Sequence, residues 1–109
     1  MDFQSSKYIM VITACPNEEE AMRLASELVD KRLAACVQAS DIKSTYRWKG
    51  VVEREKEVRL LIKARHANYK DIEALIKSTL SYQNPEVLAI PIAEGSQLYL
   101  DWIDDETTA

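Results

Sequence analysis

Two cysteines, one histidine and a block of three glutamates are the side chains of this 109-residue chain that could hold a metal ion or do thiol chemistry. Soft thiolates suit Cu(I), imidazole suits Cu(II) and carboxylates suit hard ions. Cys15 is the foremost candidate, because it precedes a helix start, and that end of a helix favours the thiolate. The competing reading is a turn residue beside Pro16. Cys36 lies in the apolar run Leu33–Val37, where a free cysteine behaves as a small hydrophobe. His66 stands alone at a strand end next to Arg65, the setting of a solvated or capping residue. Glu18, Glu19 and Glu20 are successive helical positions about 100° apart, so their carboxylates diverge within one chain.

Aromatic residues mark a second place for chemistry. Tyr46-Arg47-Trp48 ends one strand-like run, and Lys49-Gly50 forms a two-residue corner before a second, charge-rich one. Strand side chains alternate, so Ile42, Ser44, Tyr46 and Trp48 share one face while Lys43, Thr45 and Arg47 share the other. Two aromatics at a hairpin tip need a cover: another part of the chain, another subunit or a ligand.

These residues must be positioned by one domain spanning 1–109, with polar tails at 1–7 and 104–109. The chain is 47% hydrophobic and 29% charged, enough for a core and a solvated surface. With two glycines and three prolines there is no flexible linker. A net charge of −4 argues against general nucleic-acid or anionic-membrane binding, and no apolar run approaches the roughly 20 residues of a membrane span. Met1–Lys7 lacks a charged region followed by an apolar one, so no secretory signal is expected. A cytoplasmic location with reduced Cys15 and Cys36 follows.

Tyr8–Thr13 is β-branched and nearly all apolar, the pattern of a central strand covered on both sides. Asn17, with Glu20 three residues later, predicts a capped helix carrying Ala21, Leu24, Ala25, Leu28 and Val29. It is expected to run to Lys31 or Arg32, cations suited to its last turn. Leu33–Val37 leads into the aromatic strand, and Val58, Leu60, Ile62 and Ala64 alternate along the next, half-buried one. The charged stretch Val51–Lys56 is where that hairpin projects or bends. Asn68 is expected to cap a second helix with Tyr69, Ile72, Leu75 and Ile76 on one face. Val87–Ile90 forms a short strand, and Gly95-Ser96 opens a last helix bearing Leu98, Tyr99, Trp102 and Ile103. The order βαββαβ plus a helix predicts an α+β, ferredoxin-like antiparallel sheet with two helices on one face. Its other face, bare in a monomer, predicts self-association.

From about Tyr8 to Trp102 the chain resembles the CutA divalent-cation-tolerance family. The likeness rests on Thr13-Ala14-Cys15-Pro16, Arg32-Leu33-Ala34-Ala35-Cys36-Val37, Tyr46-Arg47-Trp48-Lys49-Gly50, Leu61-Ile62-Lys63, Tyr82 with Pro85-Glu86, Glu94-Gly95-Ser96 and Tyr99-Leu100-Asp101-Trp102, in that order. The resemblance implies a ferredoxin-like homotrimer similar to the PII signalling proteins. It also implies a role in tolerance to divalent cations, copper especially. In some members a cysteine on the first strand and two histidines act as copper ligands. Here those positions fall at Ile12, Thr79 and Leu80, and Ser81 replaces the family's proline.

Tyr46, Trp48, Lys63, Tyr82 and Glu86 stand at family-like positions and form a candidate ligand cleft at a subunit border. There Lys63 would attract a small anion, the aromatics would stack on it, and Glu86 would orient Lys63. The alternative is trimer packing with an ordinary Lys63–Glu86 ion pair. No Gly-rich phosphate loop, Gly-x-Ser-x-Gly elbow or Cys-x-x-Cys pair is present, so no enzyme activity is expected. Three roles follow: a copper or divalent-cation binding trimer with Cys15 and Cys36 as candidate ligands, a PII-like sensor, or a trimeric scaffold for a protein partner.

Overall fold

A computed structural model describes residues 6–108. Seven elements follow in order: β1 (Tyr8–Cys15), α1 (Glu18–Asp30), β2 (Cys36–Trp48), β3 (Val51–Arg65), α2 (Tyr69–Thr79), β4 (Leu88–Pro91) and α3 (Gln97–Glu106). All strand pairs are antiparallel, in the order β2-β3-β1-β4. This is the split βαβ arrangement expected from the element order.

The register assigns every side chain to a face. Ile9, Val11, Thr13 and Cys15 pair with Ala64, Ile62, Leu60 and Val58. Together with Ala21, Leu24 and Leu28 of α1 and Ile72 and Ile76 of α2, these residues build the core. The period of two on the strands meets the helical period on one side of the sheet, which is why both helices pack there. β1 is central: α1 and α2 cover one of its faces fully, while on the other α3 reaches Tyr8 through Asp104 and covers it only in part. Tyr8, Met10 and Ile12, on its other face, are half-buried.

The β2–β3 hairpin is long and continuously paired. Thirteen pairs run from Cys36↔Lys63 to Trp48↔Val51, and the charged Val51–Lys56 stretch is continuous strand to the corner. Its corner has φ of 50° at Lys49 and 82° at Gly50, the two positive values that match the strand twist.

Three termini depart from the sequence reading. Helix α1 ends at Asp30, so Lys31 and Arg32 lie outside its last turn. Arg32 takes φ 59° and closes a Schellman turn, in which Leu33 N–H donates to the Leu28 carbonyl and Arg32 N–H to the Val29 carbonyl. Asn68 makes no side-chain cap: a short 3-10 turn, His66–Asn68, precedes α2 and buries it. The polar stretch at 104–109 is not a loose tail among its described residues. Asp104, Asp105 and Glu106 complete α3, and Thr107 is buried. The Arg32 guanidinium donates to the Asp105 and Glu106 carbonyls, while Arg65 donates to Thr107 Oγ1 and the Thr108 carbonyl. At the other end, residues 1–5 of the polar stretch lie outside the described residues. Ser6 Oγ donates to the Ile92 carbonyl, and Lys7 binds Asp104. On α3 only Ile103 is fully buried; Leu98 is 84% exposed.

Candidate functional site

The hairpin corner determines what surrounds the aromatics. Because a two-residue turn opposes Trp48 with Val51, it also opposes Tyr46 with Glu53, Ser44 with Glu55 and Ile42 with Glu57. Three glutamates therefore lie on the Tyr46–Trp48 face of the sheet, the face away from α1 and α2. The segment after α2 folds against this face. Tyr82 Oη donates to Glu57 Oε2 at 2.7 Å, and burial followed by that carboxylate raises the Tyr82 phenol well above its ordinary value. Ser81 is held from the other side: its N–H and its Oγ donate to the two Glu20 oxygens at 2.8 and 2.9 Å. Glu20 thus spends its carboxylate on Ser81 rather than returning it to the Asn17 N–H, although Asn17 Oδ1 still accepts from Glu20 N–H at 2.9 Å.

Between hairpin and segment lies an open groove of about 770 Å³, lined by Tyr46, Trp48 and Tyr82 with Glu53, Glu55, Glu57 and Glu86. Among the described residues no lysine or arginine lines it. The Lys49 ammonium lies 5.7 Å from the Trp48 ring centroid. Partial burial and the nearby Glu55 raise the Tyr46 phenol, as expected beside clustered carboxylates. A second groove of about 670 Å³, at the start of α1, has mixed charge: Glu18, Asp41 and Glu57 face Lys43 and Lys56.

Four of the five candidate cleft residues, Tyr46, Trp48, Tyr82 and Glu86, come together in the first groove. Lys63 does not join them. It sits further along β3, where its ammonium is 3.5 Å from Tyr99 Oη and 5.5 Å from that ring's centroid. No Lys63–Glu86 ion pair forms among the described residues. Glu53, Glu55 and Glu57 were missed in the sequence, although the turn length with strict alternation would have placed them.

Among the described residues the two thiols lie on opposite faces of the sheet. Cys15 is wholly buried in the core, and its thiol is pushed up to about 12, first by burial and then by Glu20 and Glu57. That reverses the expected helix-start effect, because lost hydration and two like charges outweigh the helix dipole. Cys36 is half-buried and free on the opposite face, across from Lys63. Among the described residues no three His, Cys, Asp or Glu side chains converge as a metal cage.

The sequence profile described as CutA1 divalent ion tolerance protein matches residues 9–106. The chain belongs to the CutA1 family. It is 39% identical to the divalent-cation tolerance protein CutA of Thermus thermophilus over 99 residues, covering 90% of this chain and 96% of that one. The CutA1 crystal structure from the psychrotrophic bacterium Shewanella sp. SIB1 superposes with TM-score 0.92 at 35% identity, over 95% of this chain and 98% of that one. The Archaeoglobus fulgidus CutA structure, a protein described as periplasmic, gives TM-score 0.89 at 36% identity over 91% and 97% of the two chains.

Within the CutA1 fold, the positions where the resemblance implies copper ligands are occupied here by Ile12, half-buried on the open sheet face, Thr79, the last residue of α2, and the buried Leu80. Two of these side chains are aliphatic and one is a neutral hydroxyl, so the set does not fit a soft or borderline copper ion. Among the described residues no helix is long and apolar enough to cross a membrane.

Proposed function

We propose that this chain serves divalent-cation tolerance as a cytoplasmic homotrimeric binding module, acting by binding rather than turnover, with the hairpin groove as its site for a cationic ligand. One observation carries the reading. The groove combines three aromatic rings with four carboxylates and, among the described residues, no lining cation, a field that attracts positive charge and repels anions. The trimer is supported by the sheet face opposite α1 and α2. Leu88 and Ile90 stay 57% and 45% exposed there, beside Met10 and Ile12, which they oppose on β1.

Copper on the pattern of Ile12, Thr79 and Leu80 is not part of this reading, because those side chains do not fit it. The PII-like alternative, in which a small anion moves the hairpin, draws no support from Lys63 within one chain, where its ammonium lies 3.5 Å from Tyr99 Oη and away from the groove. A rigid scaffold for a protein partner would respond to neither ion. Light scattering combined with isothermal titration separates these. The expected result is a mass three times the 12.4 kDa chain and saturable uptake of cations that Glu55→Gln weakens. A monomeric mass, or uptake of phosphate in place of cations, would overturn the reading.

A further inference from the structure

We propose that the occupant of this groove is an extended organic polycation, a linear alkyl polyamine, rather than a single chelated metal ion. The inference rests on the cationic reading of the groove and names the chemistry that its geometry selects. Glu53, Glu55 and Glu57 are alternate residues on one strand, so their Cα atoms are spaced by about 6.6 Å along β3. A metal ion needs its oxygen donors within about 2.6 Å of one point, and no such convergence exists among the described residues. A ladder of charges at a fixed repeat suits a ligand with charges at a similar repeat. Three or four methylenes between ammonium groups separate successive charges by about 5–6 Å.

The walls fit the rest of such a molecule. The methylene stem needs apolar cover, which the Trp48, Tyr46 and Tyr82 rings provide, and ammonium groups gain from ring faces as well as from carboxylates. Trp48 already attracts a cation, since the Lys49 ammonium lies 5.7 Å from its ring centroid. Lys49 is therefore a competitor for the same ring. Glu57 has one oxygen committed to Tyr82 Oη, which leaves its other oxygen, together with Glu53 and Glu55, for the ligand. Glu86 adds a fourth carboxylate from the facing segment.

Spermidine is the test ligand, titrated at constant ionic strength and read by Trp48 emission in a Trp102→Phe background. The expected result is saturable binding, at least tenfold tighter than butylamine or magnesium. Glu55→Gln should weaken it about tenfold, the scale of one charge-assisted hydrogen bond. Lys49→Asn, which keeps a residue tolerant of positive φ at the corner, should strengthen it by removing the competing ammonium. Divalent metal uptake in the groove without spermidine binding would overturn the polyamine assignment while leaving the cationic site standing. Binding of neither would overturn both. Spermidine affinity unchanged by Glu55→Gln would place the ligand elsewhere and also refute the assignment.

Discussion

Tyr82 and Glu57 join the two walls of the groove through one hydrogen bond of 2.7 Å, from the phenol to the carboxylate. Glu57 belongs to the hairpin and Tyr82 to the segment after α2, so this contact sets the width of the cleft. Tyr82→Phe keeps the ring and deletes the bond. A half-buried bond to a charged acceptor is worth about 1.5 kcal/mol. Thermal unfolding should show a loss of that order, and the freed Glu57 should make cation binding tighter, not weaker.

Ser81 replaces the proline expected from the family pattern and uses the N–H that proline lacks. Ser81→Pro removes both donors to Glu20, whereas Ser81→Ala removes only the hydroxyl. Leu80 is extended, with ψ 144°, so a following proline fits sterically. The lost bonds, about 1–2 kcal/mol, are then offset by about 0.5–1 kcal/mol from stiffening the unfolded chain. Chemical denaturation should rank wild type above Ser81→Pro by about 1 kcal/mol or less.

The two thiols should differ sharply in reactivity. Cys36 is half-buried and should be modified by a disulfide reagent in the folded protein, whereas Cys15 should react only on unfolding. The Cys15 folded value lies above its unfolded one, so its contribution to stability is complete below pH 9 and is lost as pH rises toward 12. Between those limits one such group contributes a slope of about 1.4 kcal/mol per pH unit. Cys15→Ala should flatten that alkaline decline in a pH series of denaturation curves, although the lost methyl-sized volume lowers stability at neutral pH.

Asp104 anchors α3 to the sheet. Tyr8 Oη donates to it at 2.6 Å and Lys7 Nζ at 3.2 Å, and the Tyr8 bond, with the cations beside it, holds its carboxyl below the ordinary value. Its folded value is depressed, so its contribution is complete above pH 4 and is lost as pH falls through the folded value. The Asp104 side chain is partly exposed, and the effect of Asp104→Asn should be about 0.5–1 kcal/mol. Hydrogen exchange should show α3 loosening in that variant and, in the wild type, on acidification.

Much of the fold is legible in local pattern. Tyr8–Thr13, the Asn17 cap and the alternation from Val58 to Ala64 each follow one rule of periodicity or capping; the cap and the alternation form as expected, and Tyr8–Thr13 is the central strand expected although its second face is only half-buried. The departures involve contacts distant in sequence. Nothing near Asp104 announces that Tyr8, Lys7 and Arg65 will hold it. Arg32, which reads as a helix-end cation, caps a different helix, α3. The site divides similarly. Tyr46 and Trp48 were visible as unsupported aromatics, and the groove's acidity was implicit in the two-residue corner. That Lys63 would lie at Tyr99 depends on where α3 packs, and that is a matter of tertiary structure.

The most direct test of the cationic groove is the pair of tryptophan indole N–H resonances in a proton–nitrogen spectrum, followed while cations and then phosphate are added at fixed ionic strength. The account predicts that the Trp48 signal moves and saturates with cations while Trp102, on α3, stays still, and that phosphate moves neither. A Trp48 signal indifferent to cations, or one that follows phosphate, would contradict it.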